Sequence, residues 1–151
     1  MAPPLKKDPR FRQGVYKPTN SKKFMGTTAI YRSGLECKFF RFCDLNENVI
    51  RWGSENIVIP YKSKIDNQVH RYYVDNYVEI KEGDKIVKYL VEIKPYSQTQ
   101  PPKPSNKKKK STIIYEQTQW IINSEGKWKA ADDFCKKRGW KFLILTEKEL
   151  K

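Results

Sequence analysis

The feature that most constrains the fold is a segment rich in proline and lysine that divides the second half of the chain. Residues 95–111, PYSQTQPPKPSNKKKKS, contain four prolines and a run of four consecutive lysines. Proline removes a backbone donor and favours extended chain, so this segment is expected to form a long loop or linker. It separates a compact stretch, residues 27–95, from a second structured stretch near the C-terminus.

The compact stretch predicts one helix followed by a meander of three strands. In SGLECKFFRFCDLNE, Leu35, Phe39 and Phe42 recur at the spacing of one helical face. Three apolar or β-branched segments follow, separated by the polar turns KSKIDNQ and KEGDK. The predicted strands are ENIVIPY, VHRYYVDNYVEI and IVKYLVEIKP.

Beyond the loop, the pattern predicts two helices and a final strand. The helices are STIIYEQTQWIIN, with Ser111 as N-cap, and SEGKWKAADDFCKKR, with Gly139 as its stop signal. The strand is WKFLIL, and its connection through helices allows parallel pairing with the meander. The prediction is an α/β fold of order α-β-β-β-α-β, a small mixed sheet flanked by helices.

The charge of the chain favours a polyanionic partner. Lys and Arg number 31 against 17 acidic residues, a formal net charge of +14. Contacts with phosphates release counterions and strengthen binding, so nucleic acid is the expected partner, although charge alone does not exclude a merely soluble basic protein. Residues 1–24 are predicted to be a basic arm, and residues 25–151 the main domain. The lysine run in the loop is either a phosphate contact or a solvated loop tip.

Several classes are disfavoured by what the sequence lacks. The three cysteines, Cys37, Cys43 and Cys135, form no Cys-x-x-Cys pair and are expected to be reduced thiols, as in a cytoplasmic protein. With one histidine, a zinc site is not expected. The N-terminus has no apolar signal-peptide core, and no run approaches the roughly 18 apolar residues of a membrane span. No membrane partner is therefore expected.

Three acids and a lysine form a candidate site: Glu36 on the helix, Asp75 on the second strand, and Glu92 with Lys94 on the third. A carboxylate within a strand is costly unless it is solvated, paired or bound to metal. Asp75 and Glu92 lie nine and eight residues from Asp84 in the turn, which predicts that they face each other across the hairpin. Two such carboxylates repel, and a hard divalent cation between them, Mg²⁺ or Mn²⁺, resolves the repulsion. Lys94 can then orient or help to deprotonate the attacking water and stabilise the phosphorane.

Each residue of this site also has an ordinary structural interpretation. Glu36 lies three residues after Ser33, the spacing of a capping box. An aspartate such as Asp75, taken alone, is a hydrogen-bonded or solvent-facing strand acid about as often as it is a functional residue. Glu92 and Lys94 alone fit an exposed strand face with a local ion pair. Taken together, the four indicate half of a metal-dependent phosphodiesterase site more strongly than any one of them does.

This order of residues resembles the PD-(D/E)xK nuclease superfamily, whose restriction-endonuclease-like core matches the predicted α-β-β-β-α-β order. More narrowly, the chain looks like the head completion nuclease family of large contractile-tailed phages, itself similar to TnsA-type transposon end nucleases. The similar segments include IYRSGLECKFFRFCD, HRYYVDNYVEI, VEIKP and KWKAADDFCKKRGWKFLILTEKEL, and the likeness spans about residues 13 to 150. The family pattern has a proline immediately before the aspartate, and this chain has Val74 at that position.

The resemblance implies a Mg²⁺- or Mn²⁺-dependent DNA endonuclease. It implies Asp75, Glu92, the Ile93 carbonyl and Glu36 as metal ligands, and Lys94 as the catalytic lysine. The implied substrate is packaged or protruding DNA, double-stranded or branched, cut before a tail joins the head. Phage head or neck proteins are the implied partners, and the host cytoplasm and the virion the implied locations.

Further residues are predicted to contact DNA or to support the site. The predicted DNA contacts are Arg32, Arg71, Lys107, Lys108, Lys109 and Lys110. Gln117 and Gln119 are weaker candidates for a supporting glutamine. Two other functions stay open: a non-enzymatic head–tail junction protein with a decayed nuclease fold, and a TnsA-like transposition or repair endonuclease. Intact Asp75, Glu92 and Lys94 argue against decay.

Overall fold

The computed structural model describes residues 13–150 of the 151-residue chain. The first half of the predicted basic arm, residues 1–12, lies outside the described residues. The helices are α1 (Gly34–Leu45), α2 (Lys110–Ile122) and α3 (Trp128–Arg138). The strands are β1 (Gly14–Tyr16), β2 (Ala29–Tyr31), β3 (Val49–Ser54), β4 (Val58–Lys62), β5 (Val69–Tyr73), β6 (Asn76–Glu82), β7 (Lys85–Ile93) and β8 (Lys141–Leu145).

A four-stranded mixed sheet of order β3-β6-β7-β8 forms the centre of the molecule. The strands β3, β6 and β7 are antiparallel neighbours, and β8 returns through α2 and α3 to pair with β7 in parallel. Gly83 takes φ 63° in the β6–β7 turn, a backbone conformation that favours glycine. The predicted α-β-β-β-α-β order and the mixed sheet flanked by helices are confirmed.

The first strand of this sheet differs from the prediction. ENIVIPY contributes β4, which pairs with β5 in a separate two-stranded sheet, while β3 takes the predicted place. Pro60 of β4 has no backbone N–H to donate to a neighbouring strand. In a two-stranded sheet each strand is hydrogen-bonded on one side only, so a proline can be accommodated. The sequence pattern of β3 was missed because Arg51 and Gly53 interrupt its apolar residues, although Trp52 is fully buried.

The predicted strand VHRYYVDNYVEI is also wrong as one element, because it breaks at Val74 and Asp75 into β5 and β6. At the break, the backbone groups of Val74 and Asp75 form hydrogen bonds with the loop between β3 and β4. The N–H of Val74 donates to the carbonyl of Ile57 at 3.2 Å, and the carbonyl of Asp75 accepts from the N–H of Glu55 at 3.0 Å. A proline at position 74 would lack the first of these donors. Asp75 therefore lies between two strands and not in the middle of one.

The two faces of the sheet bury separate apolar clusters. On one face, α1 packs Phe39, Phe40 and Cys43 against residues that include Trp52 and Val91. The opposite cluster joins α3 to the β4–β5 sheet and consists of Ile59, Tyr61, Tyr72, Val74, Tyr77, Leu90, Ala131 and Cys135. Each large apolar side chain buried in this way stabilises the fold by roughly 1.5–3 kcal/mol. All three cysteines are free and buried, which agrees with their predicted thiol state.

The helix ends follow the predicted signals with one exception. Ser33 caps α1 and accepts a hydrogen bond from the N–H of Glu36, and Gly139 ends α3 at φ 71°. Ser111 is not the N-cap of α2, because the helix begins at Lys110 with Lys109 in the cap position. Boundaries of this kind commonly differ by one or two residues. A π-helical turn, Asn123–Lys127, precedes α3.

The described part of the predicted arm is attached to α1 through Asp44, whose side chain is fully buried. The hydroxyl of Tyr16 donates to Asp44 at 2.6 Å, and the backbone N–H groups of Thr19 and Asn20 donate to its two oxygens at 2.8 Å each. The division into an arm of residues 1–24 and a domain of residues 25–151 stays a prediction. Among the described residues, no helix is long and apolar enough to cross a membrane.

Candidate active site

The end of the β6–β7 ladder brings Asp75 beside Glu92. The last paired residues are Asn76 and Val91, so the next position on each strand is Asp75 and Glu92. The backbone N–H of Ile93 donates to Asp75 Oδ2 at 2.7 Å. The opposition inferred from the nearly equal distances to the turn is therefore present, although Asp75 lies just outside the ladder.

Glu92 is buried, so its interpretation as part of an exposed strand face is wrong. Its residue exposure is 4%, and the hydroxyl of Tyr72 donates to its Oε1 at 2.7 Å. Lys94 Nζ lies 3.7 Å from Glu92 Oε2, a long ion pair. Burial raises the pKa of Tyr72, helped by the charge of Glu92, so this tyrosine stays a neutral donor.

The surroundings of the other two acids raise the pKa of each carboxyl. Burial, then the charges of Glu92 and Glu36, raise the pKa of Asp75 well above its ordinary value. Burial likewise raises the pKa of Glu36 to about 7, against the opposing effect of its hydrogen bond with Ser33. Glu36 therefore makes a hydrogen bond with Ser33, the N-cap of α1, and also lies close enough to Asp75 and Glu92 for their charges to interact.

A fourth acid, Glu55, was not singled out in the sequence. Its backbone has φ 52°, and its N–H donates to the carbonyl of Asp75. Its carboxylate accepts hydrogen bonds from the guanidinium of Arg32 at 2.9 and 3.3 Å. Its charge is one of the causes that raise the pKa of Glu36. The sequence signal for Glu55 is weak, because the residue lies in the short polar turn SEN between two apolar stretches. Arg32, a predicted DNA contact, is thus engaged with a neighbouring carboxylate.

Lys127 is the second residue that sequence reasoning missed. It ends the π-helical turn, and its Nζ lies 5.4 Å from the centre of the Tyr72 ring. Burial lowers the pKa of Lys127, while the charges of Glu92 and Asp75 oppose that shift. At Gly126 a Cβ would lie 3.0 Å from the Tyr61 ring, so glycine permits the turn to approach β4. A π-turn has no clear sequence signature, and such turns are frequent at functional sites.

A cavity of about 840 Å³ adjoins Lys94 on the side of the proline- and lysine-rich loop. Its wall is formed by that loop and by α2, and it includes Gln119 but not Gln117. Lys108, at its rim, pairs with Glu116 at 2.8 Å. The remaining members of the lysine run, Lys107, Lys109 and Lys110, are exposed near the start of α2.

Arg71 and His70 lie elsewhere, on β5. Arg71 is exposed. His70 is engaged with Asp66 at 2.7 Å, in line with a structural role for this histidine. The structure thus brings Asp75, Glu92 and Lys94 together, with Glu36 near enough for its charge to raise the pKa of Asp75. The predicted DNA contacts lie on several parts of the surface.

Comparison with known proteins decides the family. Residues 46–147 match the family described as TnsA-like endonuclease, N-terminal. The chain belongs to the TnsA-like endonuclease family. It is 39% identical over 146 residues to the head completion nuclease of Enterobacteria phage T4, with 91% of this chain and 93% of that protein covered. The resemblance to PD-(D/E)xK nucleases is confirmed. The range 46–147 that matches the family contains Asp75, Glu92 and Lys94 but not Glu36.

The donor set of this TnsA-like domain suits a hard divalent cation. Asp75, Glu92 and the carbonyl of Ile93 offer oxygen ligands only, the type that Mg²⁺ and Mn²⁺ prefer. Within residues 13–150, no three His, Cys, Asp or Glu side chains are grouped closely enough to hold a metal. A site here would therefore use two carboxylates and the carbonyl, and Glu36 as a ligand stays a prediction. The repulsion that raises the pKa of Asp75 is what a cation would relieve.

Proposed function

We propose that this protein is a divalent-metal-dependent DNA endonuclease that acts in phage head completion. The observation that carries the proposal is the buried Glu92, placed beside Asp75 at the end of the β6–β7 ladder and next to Lys94. Keeping a buried carboxylate beside a half-buried one costs free energy, and active sites are where such costs are concentrated. The nuclease family of the chain supports the same conclusion.

The two carboxylates are oriented by neutral donors, which leaves each with a second oxygen for a cation. The hydroxyl of Tyr72 holds Glu92 Oε1, and the N–H of Ile93 holds Asp75 Oδ2. Asp75, Glu92 and the Ile93 carbonyl would hold Mg²⁺ or Mn²⁺, with Glu36 as a further ligand. When bound, the ion lowers the pKa of water and offsets the charge of the phosphate.

Lys94 performs the part of the chemistry that needs a positive charge. Its ammonium lies 3.7 Å from Glu92 and also borders the cavity, so it reaches from the carboxylates towards a bound strand. There it orients the water that attacks phosphorus and stabilises the negative charge that develops on the phosphorane. Attack forms a new P–O bond and breaks the bond to the leaving oxygen. The water gives up one proton and the leaving oxygen takes up one, so the products are a phosphomonoester end and a hydroxyl end.

Basic residues would hold the DNA backbone without reading its sequence. The net charge of +14 supports binding to a polyanion. The proposed backbone contacts are Arg32, Arg71, Lys107, Lys108, Lys109 and Lys110. Because contacts with phosphates do not distinguish one base from another, cleavage would depend on DNA structure more than on sequence.

The biological setting follows from the similarity to the phage T4 protein, whose name is head completion nuclease. By analogy, this chain would cut packaged or protruding DNA, double-stranded or branched, before a tail joins the head. Head or neck proteins would be its partners, and it would act in the host cytoplasm and remain in the virion. A TnsA-like transposition or repair endonuclease is the second candidate, favoured by the family description, and neighbouring phage structural or transposase genes would separate the two.

A cleavage assay tests the enzymatic proposal. Linear and circular duplex DNA are incubated with the protein and Mg²⁺ or Mn²⁺, beside Asp75→Ala and Lys94→Ala. We expect wild type to cut and each variant to lose about a hundredfold or more in rate. Asp84→Ala and Lys85→Ala, at exposed positions of the β6–β7 turn, are matched controls that should cut normally. A wild type without cleavage would support a non-enzymatic DNA-binding protein instead. Active-site variants as fast as the controls would contradict the catalytic roles of Asp75 and Lys94.

A further inference from the structure

The cavity beside Lys94 has the size of a site for single nucleotides and not for a double helix. Its volume is about 840 Å³, within the range of pockets that enclose a drug-sized molecule. The major groove of a DNA duplex is itself wide enough to admit an α-helix. The whole duplex is therefore too wide to enter this cavity. An unpaired strand leading away from a phosphodiester at Lys94 can enter it.

Aromatic side chains line this cavity on two sides. Tyr96 comes from the loop, and Tyr115 and Trp120 come from α2. Tyr115 is 64% exposed, an unusual exposure for a large ring that has no packing role in the core. Trp120 is held from behind by an edge contact with Trp128, whose ring centre is 5.8 Å away. Exposed rings beside a basic groove are the features with which proteins stack unpaired bases.

The charge of the lining also fits a nucleic-acid strand. Lys94, Lys103 and Lys108 face the cavity against one acid, Glu116, which pairs with Lys108 at 2.8 Å. Lys148 lies 3.3 Å from the centre of the Tyr96 ring, so a further cation stands at the loop side. Lysines together with aromatic rings suit the phosphates and the bases of a single strand.

We propose that this cavity binds unpaired nucleotides adjoining the cleaved phosphodiester, so that the substrate is duplex DNA with a single-stranded branch or tail. The position of the cleaved bond rests on the proposed function, whereas the binding of unpaired nucleotides rests on the cavity alone. Tyr115 is the residue best suited to test it, because its ring is exposed and its loss leaves the apolar clusters intact.

The test measures binding of the full-length protein without divalent metal. Its probe is a duplex with a short single-stranded tail that carries the fluorescent base 2-aminopurine, beside the same duplex with blunt ends. We expect tighter binding of the tailed duplex and a change in 2-aminopurine fluorescence. Tyr115→Ala should weaken binding of the tailed duplex about tenfold and leave blunt duplex unaffected, and Tyr115→Phe should retain the preference. Ile114→Ala is the matched control, since Ile114 is 54% exposed on the same helix and does not line the cavity.

The outcomes separate this inference from the proposed function. Equal affinity for tailed and blunt duplex, or equal weakening of both by Tyr115→Ala, would overturn the inference even if the protein cleaves DNA. Binding that prefers the tail and depends on Tyr115 would support the cavity as a single-strand site. If that protein then cut no DNA with Mg²⁺ or Mn²⁺, the proposed function would fail while the binding site stood.

Discussion

The hydroxyl of Tyr72 donates a hydrogen bond of 2.7 Å to the buried carboxylate of Glu92. This bond crosses from the small β4–β5 sheet to the central sheet and fixes which oxygen of Glu92 remains for a ligand. Groups that orient a metal ligand typically affect metal affinity by 10- to 100-fold when removed, about the same as the effect on activity.

Tyr72→Phe should therefore weaken Mn²⁺ binding by about 10-fold or more while leaving the fold intact, since it removes only the hydroxyl. Isothermal titration with Mn²⁺ measures the affinity, and thermal unfolding checks the fold. Tyr77→Phe is the matched control, because the Tyr77 hydroxyl donates to Glu79 at 2.8 Å and neither residue belongs to the candidate site. Equal metal affinity in the two variants would show that Tyr72 does not position Glu92.

The stability of the metal-free protein should decrease as pH rises. The folded-state pKa values of Glu36 and Asp75 are raised, and that of Glu36 from 4.5 to about 7. A raised folded pKa contributes stability that is present below the unfolded pKa and is lost as pH rises through the folded pKa. The loss contributed by Glu36 should fall between about pH 4.5 and 7. Denaturant unfolding over this range measures it.

Glu36→Gln isolates the contribution of Glu36 to this profile. It should raise the free energy of unfolding at pH 8 by roughly 1–3 kcal/mol without metal and flatten the pH dependence. Mg²⁺ should stabilise the wild type at pH 8 and much less at pH 5, where protonated ligands compete with the ion. A wild type whose stability rises steadily from pH 5 to 8 without metal would contradict the prediction.

Lys127 should influence the site through its charge. Lys127→Met removes an ammonium near Glu92 and Asp75, so the acids become harder to ionise and the pH–rate profile should shift to higher pH. Lys127→Arg should restore the profile in part. Cleavage rates from pH 6 to 9 measure the shift, and Lys129→Met, at an exposed position of α3, is the control. A uniform loss of rate without a shift would indicate a structural role only.

Asp44 should be important for stability and not for catalysis. It is fully buried and holds the N-terminal segment through Tyr16, Thr19 and Asn20. Asp44→Ala leaves three donors without an acceptor and should cost about 2–4 kcal/mol in the free energy of unfolding. Urea unfolding measures it beside Asp84→Ala. A loss below about 0.5 kcal/mol would show that residues 13–24 are not anchored by this carboxylate.

Patterns that depend on local periodicity were predicted well from sequence. The helix α1, the β6–β7 turn and the strand β8 follow directly from apolar spacing, a glycine turn and a short apolar run. The meeting of Asp75 and Glu92 could also be predicted, because a hairpin fixes which residues are opposite once its turn is known. Glu36 could be placed near them through its resemblance to the family order.

Features that depend on tertiary contacts could not be predicted. The break at Val74 exists because a distant loop takes its backbone hydrogen bonds, and the assignment of β4 to a separate sheet depends on the same loop. The burial of Glu92 requires the hydroxyl of Tyr72 from another sheet. Lys127 enters the site through a π-turn, for which the sequence carries no periodic signal.

The proposed chemistry depends on one metal ion bound by both Asp75 and Glu92. The most direct measurement is a crystal structure of the protein grown with Mn²⁺, with anomalous scattering used to locate the ion. We predict one anomalous peak in contact with both carboxylates and the Ile93 carbonyl, absent in Asp75→Asn. If the protein cuts DNA with Mn²⁺ but binds the ion elsewhere, or at Glu92 without Asp75, the two carboxylates do not share the catalytic metal.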